Sequence, residues 1–184
     1  MIQRVATIVL LVEDLHQESL LRRYLQRVGH DRRNIRVNRS QKGTGSGEQH
    51  VREQYASEIR AQRFRVTRIQ SCLIAFIDAD TVQTQDRHQQ FERALRDADE
   101  PRLASNEHVA VLVAKRNVET WILCLNGESV DEDTNYRHDD RVNANSIKSV
   151  AGQLYEWTRV NAAIPAECVT SLRESIPELL RIPG

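Results

Sequence analysis

Apolar and polar residues are arranged along the chain in blocks that predict strands and helices in alternation. Three runs rich in Val, Ile, Leu and Ala are typical of strands buried on both faces: residues 4–12, 72–77 and 108–114. A shorter strand is predicted at residues 34–38. Apolar positions at helical spacing predict helices at residues 15–28, 48–63, 85–98, 118–125, 146–157 and 169–180. Residues 126–145 show no apolar period and predict a long surface loop.

This order of elements predicts an α/β fold. Continuously apolar strands separated by helices indicate a mainly parallel central sheet flanked by helices, with extra helices at the C-terminus. The 184 residues suffice for one domain. We expect an α/β core at residues 1–125, with an acidic loop and C-terminal helices at residues 126–184 packed on the same domain.

Charged residues follow each of the three apolar strands. Glu13 follows the first, Asp78 and Asp80 the second, and Lys115 and Arg116 the third. Residues i and i+2 at a strand end point to the same side, so Asp78 and Asp80 can reach one site, where they repel unless a cation neutralises them. Mg²⁺ or Mn²⁺ suits such hard oxygen ligands. Capping of the next helix is the alternative role for this acidic pair.

The basic residues are concentrated in one third of a chain whose formal net charge is zero. Residues 22–68 contain 13 Lys+Arg and 4 Asp+Glu, which indicates a face that binds a polyanion. The glycine-rich segment SQKGTGSG at residues 40–47 precedes a predicted helix, where backbone N–H groups can approach an anion. With Arg39, Lys42 and Arg52 it is predicted to contact nucleic-acid phosphates. A plain flexible loop and arginines that only solvate a helix are the alternatives.

Four segments together resemble the TOPRIM domain, and especially small stand-alone TOPRIM-like proteins of bacteria related to nucleases of the overcoming-lysogenization-defect type. These segments are IVLLVED (8–14), GTGSGEQHVR (43–52), LIAFIDADT (73–81) and LVAKRNVETWI (112–122). The first carries the family's glutamate as Glu13, and the third carries its DxD motif as Asp78 and Asp80. Asp14 departs from the pattern, because many TOPRIM domains have glycine after the glutamate.

The resemblance implies a Mg²⁺-dependent nuclease that hydrolyses phosphodiester bonds of DNA or RNA. The metal ligands are then Glu13, Asp78 and Asp80, and Glu13 is also the general acid/base. Lys115 and Arg116 can stabilise transition-state charge, while Glu119 either reaches the metal, pairs with Arg116 or only complements the dipole of its helix. The predicted catalytic residues are Glu13, Asp78, Asp80, Lys115 and Glu119, and the predicted nucleic-acid contacts are Arg39, Lys42, Arg52 and Arg116.

The expected setting is a bacterial cytoplasm. The early apolar run at residues 8–12 is too short to cross a membrane, and the N-terminus lacks the features of a signal peptide. Three widely spaced cysteines, Cys72, Cys124 and Cys168, suit a reducing compartment and are expected to be buried thiols. The resemblance implies an anti-phage defence or toxin-like system and a partner ATPase. The sequence leaves open whether the protein forms an oligomer.

Two other functions fit parts of the sequence. One is a catalytically inactive TOPRIM-like binding module of a multi-protein complex, in which the acidic cluster is structural. The other is a phosphoacceptor domain, because residues 8–29 are similar to the first strand and helix of response-regulator receivers. That family next needs an apolar strand that ends in aspartate, whereas residues 48–60 have the pattern of an amphipathic helix without aspartate.

Overall fold

The computed structural model describes residues 5–41 and 45–184. Four strands form an all-parallel sheet in the order β2-β1-β3-β4. The strands are β1 (Thr7–Val12), β2 (Ile35–Arg39), β3 (Ser71–Asp78) and β4 (Val109–Ala114). The helices are α1 (Leu15–Val28), α2 (Gly47–Val66), α3 (Thr84–Asp97), α4 (Val118–Leu125), α5 (Ala144–Trp157) and α6 (Thr170–Leu179). The predicted α/β fold with a parallel sheet flanked by helices is confirmed.

Side chains next to the helices fix where several of them begin and end. Asp14 caps α1, because its Oδ1 accepts from the backbone N–H groups of His16 and Gln17. Gly29 ends the same helix with a φ of 111°, in the left-handed region that favours glycine. The predicted bounds of α1 are therefore confirmed. Asp14, which departs from the TOPRIM pattern, has a clear local role in starting this helix.

Helix α2 extends further than the apolar period predicts. The prediction ended at residue 63, whereas the helix continues to Val66. Its last turn exposes Phe64 and Val66, so the periodic pattern of buried residues stops before the helix does. Residues 48–60 lie within α2, which confirms that this segment is helical. No helix in the described parts of the chain combines the length and the apolar character needed to cross a membrane.

Helices cover both faces of the sheet. Helices α1, α4, α5 and α6 enclose one apolar cluster, which includes Leu10, Phe76 and Trp121. Helices α2 and α3 enclose the other, which includes Leu11 and Tyr55. Successive strand residues point to opposite faces, and here both faces are covered. That explains why the strands are apolar at consecutive positions.

Helix α6 runs along the outer strand β4. The carboxylate of Glu178 accepts from the backbone N–H of Val111 at 3.1 Å, and Ser171 Oγ accepts from the N–H of Lys115 at 3.1 Å. The leucine and isoleucine side chains of α6 face the core, and the leucine that follows the helix faces solvent. Leu172, Ile176 and Leu179 are buried, whereas Leu180 is 61% exposed.

The segment between α4 and α5, residues 126–143, is the long surface loop that the sequence predicts. It ends slightly earlier than expected, because the side chain of Asn143 caps α5. Two polar contacts tie the loop to the body of the protein. Asn117 Nδ2 donates to Asn135 Oδ1 at 2.8 Å, and the backbone N–H of Ser171 donates to Glu132 Oε1 at 2.9 Å. These contacts hold the loop over the carboxyl ends of the strands.

Candidate functional site

The candidate site lies at the carboxyl ends of the neighbouring strands β1 and β3. The chain places β2 on one side of β1 and then crosses over to place β3 on the other. In open α/β sheets, this change of direction leaves a crevice beyond the strand ends, where ligands bind. Glu13 directly follows β1, and Asp78 is the last residue of β3. The two carboxylates therefore flank the crevice.

Glu13 and Asp78 are fixed relative to each other by a short network. The backbone N–H of Asp78 donates to Glu13 Oε1. Gln17, which is fully buried, donates through Nε2 to Asp78 Oδ1 at 2.9 Å and accepts through Oε1 from the backbone N–H of Glu13 at 2.9 Å. Gln17 was not predicted from the sequence, because a single polar residue in the first turn of a helix gives no signal of burial.

Glu119 forms a second buried pair with His16. Glu119 lies in the first turn of α4 and is 2% exposed, and its Oε1 is 2.6 Å from His16 Nδ1. The contact with Glu119 raises the pKa of His16 above its usual value. Arg116 was the alternative partner expected for Glu119. The guanidinium of Arg116 instead donates to the backbone oxygen of Asp80 at 2.9 Å. His16 was missed, since the histidine spacing contains no ligand motif.

The carboxylates at this site are crowded and buried. Burial raises the pKa of Asp78 well above its usual value, and the charges of Glu13, Asp14 and Glu119 raise it further. Burial also raises the pKa of Glu13 to about 8. Two carboxylate oxygens, Asp78 Oδ2 and Glu119 Oε2, are buried without a hydrogen-bond partner among the described residues. Such oxygens are costly unless a cation or a donor meets them.

Arg137 of the loop 126–143 reaches this cluster. Its guanidinium lies 3.4 Å from Asp80 Oδ1 and 3.8 Å from Asp78 Oδ2, and its side chain is 44% exposed. The shared contact indicates that the side chains of Asp78 and Asp80 face the same space, as their spacing predicts. Asp80 reaches that space from a turn, with a φ of 54°. The tertiary path of the loop brings Arg137 to the site, so the sequence pattern around Arg137 gave no sign of it.

The carboxylate oxygens at this site suit Mg²⁺ held by few protein ligands, and they do not form a complete protein cage around a metal. No three His, Cys, Asp or Glu side chains within residues 5–41 and 45–184 are grouped so that they could hold a metal ion. Mg²⁺, however, usually binds one or two carboxylates and keeps several waters. Asp78 and Asp80 provide such a pair, and Oδ2 of Asp78 accepts no hydrogen bond from the described residues. One oxygen of Glu13 already accepts from the N–H of Asp78, which leaves the other for a cation or a proton.

Lys115 and Arg116 hold the turn that carries Asp80. Lys115 Nζ donates to the backbone oxygen of Val82 at 3.1 Å and to Gln83 Oε1 at 3.0 Å. Arg116 binds the backbone oxygen of Asp80, as described above. Both side chains therefore contact residues 80–83 rather than the carboxylates themselves. Their predicted role in stabilising transition-state charge stays a prediction.

The predicted phosphate-binding residues are dispersed or already paired. Arg39 lies 3.2 Å from Glu18, and Arg52 lies 2.5 Å from Glu48, measured between side-chain nitrogen and oxygen. Lys42 lies outside the described residues, together with residues 43 and 44. Binding of phosphate by Arg39 or Arg52 therefore requires each arginine to exchange a carboxylate partner for it.

Arg87 connects the DxD turn to α2 from the buried side. It is 6% exposed, and its Nε donates to the backbone oxygen of Asp78 at 3.1 Å. Its guanidinium also forms an ion pair with Glu48, in the first turn of α2. An arginine in an amphipathic helix is usually on the surface, so the sequence gave no reason to select Arg87.

Gly47 brings the N-terminus of α2 against Glu13. A Cβ atom at Gly47 would lie 2.6 Å from the backbone oxygen of Glu13 and 2.9 Å from its Cβ. Only glycine therefore allows this approach without a shift of the backbone. The approach also brings the partial positive charge of a helix N-terminus close to the carboxylates.

Replacing Gly47 with alanine is expected to push α2 away from Glu13 and to lower the free energy of unfolding by about 1–3 kcal/mol, as overpacking does. Denaturant unfolding measures the change. Gly152→Ala in α5 is the matched control, because the nearest atoms to its Cβ lie 3.9 Å away. That control is expected to gain up to ~1 kcal/mol from helix propensity. If Gly47→Ala is as stable as wild type or gains stability as the control does, the close approach is contradicted.

The site therefore combines residues from both predicted strand ends with residues that only the folded chain brings close. Glu13, Asp78 and Asp80 belong to the first group. Gln17 and Arg137 belong to the second. Comparisons of the chain with models of protein families, with curated proteins and with solved structures found no match.

Proposed function

We propose that this protein is a Mg²⁺-dependent nuclease that hydrolyses phosphodiester bonds of DNA or RNA. The supporting observation is a pair of buried oxygens, Asp78 Oδ2 and Glu119 Oε2, that accept no hydrogen bond within the described residues and belong to a cluster of carboxylates beyond neighbouring parallel strands. A divalent cation removes the cost of this cluster, and a metal held by few protein ligands keeps positions for substrate phosphate. Mn²⁺ is the expected substitute.

Asp78 and Asp80 would hold the cation. A divalent cation held there would neutralise the scissile phosphate and stabilise the leaving oxygen. Glu13 is proposed to accept the proton of the attacking water. The second oxygen of Glu13 can take this role, because the first accepts from the backbone N–H of Asp78.

Arg137 is proposed to exchange partners as the cation binds. It is half exposed and contacts Asp80 and Asp78 only at 3.4 Å and 3.8 Å, so little free energy opposes its release. A guanidinium fork binds phosphate oxygens well. Arg137 would then contact the substrate backbone beside the cation, while Arg116 and Lys115 keep the Asp80 turn in place.

The proposed setting is cytoplasmic, and it rests on the resemblance to TOPRIM-like proteins. In this proposal the chain belongs to an anti-phage defence or toxin-like system, where it acts on nucleic acid together with a partner ATPase. A catalytically inactive TOPRIM-like binding module is the second candidate. The contact of Arg137 with Asp78 and Asp80 favours it, because an arginine that stays there neutralises both carboxylates without a metal.

A cleavage assay on mixed single- and double-stranded DNA and RNA tests the nuclease. The protein is assayed with Mg²⁺, with Mn²⁺ and with a chelator, in the presence and absence of a candidate ATPase. Wild type is expected to cut in the presence of either metal, whereas Asp78→Ala combined with Asp80→Ala is expected to lose cleavage. If the protein binds nucleic acid but cuts it under none of these conditions, the nuclease proposal is wrong and the binding module takes its place.

A further inference from the structure

Two of the three cysteines lie in the wall of one surface cavity. Both are distant in sequence from the DxD motif. Cys124 is near the end of α4, and Cys168 lies just before α6. Their side chains interact with each other. Cys168 Sγ also lies 3.5 Å from the backbone oxygen of Val169, and the backbone of Val169 in turn bonds to Cys124. Both sulfurs therefore contact the backbone of Val169.

Small reagents can reach this thiol pair. Both cysteines line a cavity of about 600 Å³, although each is less than a tenth exposed. The rim of the cavity includes the exposed residues Gly127, Ser129 and Glu167, so it opens to solvent. Cys72 differs, because it is completely buried in β3.

We propose that Cys124 and Cys168 are a redox-active thiol pair that a hydroperoxide converts into an intramolecular disulfide. Cys124 is the thiol that reacts first, and Cys168 is the one that resolves the intermediate. This proposal is independent of the nuclease, because neither cysteine contacts the carboxylate cluster.

The contacts of each thiol indicate the order of reaction. The S–H of Cys168 donates to the backbone oxygen of Val169, which favours the protonated form of Cys168. The contact with Cys168 lowers the pKa of Cys124 to about 7, and the same contact raises the pKa of Cys168. At neutral pH a large share of Cys124 is then thiolate, which is the nucleophilic form. Burial raises the pKa of Cys72 to about 12, which keeps that thiol unreactive.

The chemistry balances with the hydroperoxide as the only oxidant. The Cys124 thiolate attacks one peroxide oxygen, so that an S–O bond forms, the O–O bond breaks and a hydroxide or alkoxide leaves and takes up a proton. The Cys168 sulfur gives up its proton and attacks the sulfur of Cys124. An S–S bond forms, the S–O bond breaks and the released hydroxide leaves as water with that proton. The two thiols lose two electrons, which the peroxide gains.

The bridge would join two ends of a long segment. All residues between Cys124 and Cys168 are enclosed, including the loop 126–143 and α5. A bridge that closes so long a loop reduces the conformational freedom of the unfolded chain. The oxidised protein is therefore expected to have a Tm higher by up to about 10 °C.

Hydrogen peroxide treatment of the reduced full chain tests the proposal. Intact mass is expected to fall by two hydrogen atoms, peptide mapping is expected to identify a Cys124–Cys168 link, and dithiothreitol is expected to reverse both. Cys72→Ala is the matched control and should behave like wild type. In Cys168→Ser, dimedone is expected to label Cys124, whereas Cys168 in Cys124→Ser is expected to stay unlabelled.

Three results with the wild-type protein would each overturn the proposal of a redox-active thiol pair. The first is an intact mass that peroxide does not change, and the second is a mass that increases only by oxygen. The third is a disulfide link that involves Cys72 or a second chain. Equal dimedone labelling of the two serine variants would instead overturn the assigned order of reaction. Circular dichroism of each variant shows that its fold is retained.

Discussion

Asp78→Asn is expected to make the metal-free protein more stable while it removes nuclease activity. The substitution keeps the shape of the side chain and the oxygen that accepts from Gln17 Nε2. It replaces Oδ2, which accepts no hydrogen bond from the described residues, by an amide group that can donate to the neighbouring carboxylates. We expect the free energy of unfolding to rise by about 1–3 kcal/mol, the usual value of a buried polar group that gains a partner. Cleavage is expected to fall by about 10²–10³-fold or more.

Denaturant unfolding with and without Mg²⁺ separates the two effects. Mg²⁺ is expected to stabilise wild type, because it binds only the folded state, and to have little effect on Asp78→Asn. Asp97→Asn, at an exposed carboxylate at the end of α3, is the matched control and should change stability by less than about 0.5 kcal/mol. If Asp78→Asn is less stable than wild type in the absence of metal, the carboxylate cluster does not destabilise the metal-free protein by charge repulsion.

Arg87→Met is expected to cause the largest loss of stability among the substitutions considered for this protein. It leaves the buried backbone oxygen of Asp78 without its donor and removes the ion-pair partner of Glu48. Breaking a buried ion pair typically costs about 3–5 kcal/mol, and we expect about 3 kcal/mol, because Arg52 still pairs with Glu48. The DxD turn loses its support from α3, so affinity for Mg²⁺ is expected to fall as well.

A double-mutant cycle checks the role of Arg87. Glu48→Met alone and Arg87→Met alone should each destabilise the protein, while the double variant should lose less than the sum, because it leaves no unpaired charge. Arg93→Met, at an exposed position in the same helix, provides the surface control. Strict additivity of the two substitutions would mean that Arg87 and Glu48 do not support the DxD turn as a pair.

The strand ends could be predicted because their signal is local. Val, Ile and Leu fill β1 and β3 on both faces, so the first carboxylate after each run stands out. The parallel order of the strands then places Glu13 and Asp78 at one edge. No property of a distant segment is needed for either step, and the structure has both residues in the same crevice.

The remaining site residues depend on contacts between segments that are distant in sequence. Gln17, His16 and Arg87 are single polar residues in helices, and their burial follows only from the packing of those helices on the sheet. Arg137 lies in a loop without periodic pattern, which Asn135 and Glu132 anchor to other elements. For Gly47, the sequence indicated a glycine-rich loop, but the reason for this glycine is its contact with Glu13.

The position of α6 along β4 also decides how the protein can associate with other chains. An uncovered outer strand offers free N–H and C=O groups, to which a foreign strand can add. Here Glu178 occupies the N–H of Val111, so that row of groups is interrupted from within the chain. The opposite outer strand, β2, carries the arginines Arg36 and Arg39, whose charges oppose strand addition. Growth of the sheet into aggregates is therefore disfavoured at both edges, and contacts between chains fall to the helical surfaces.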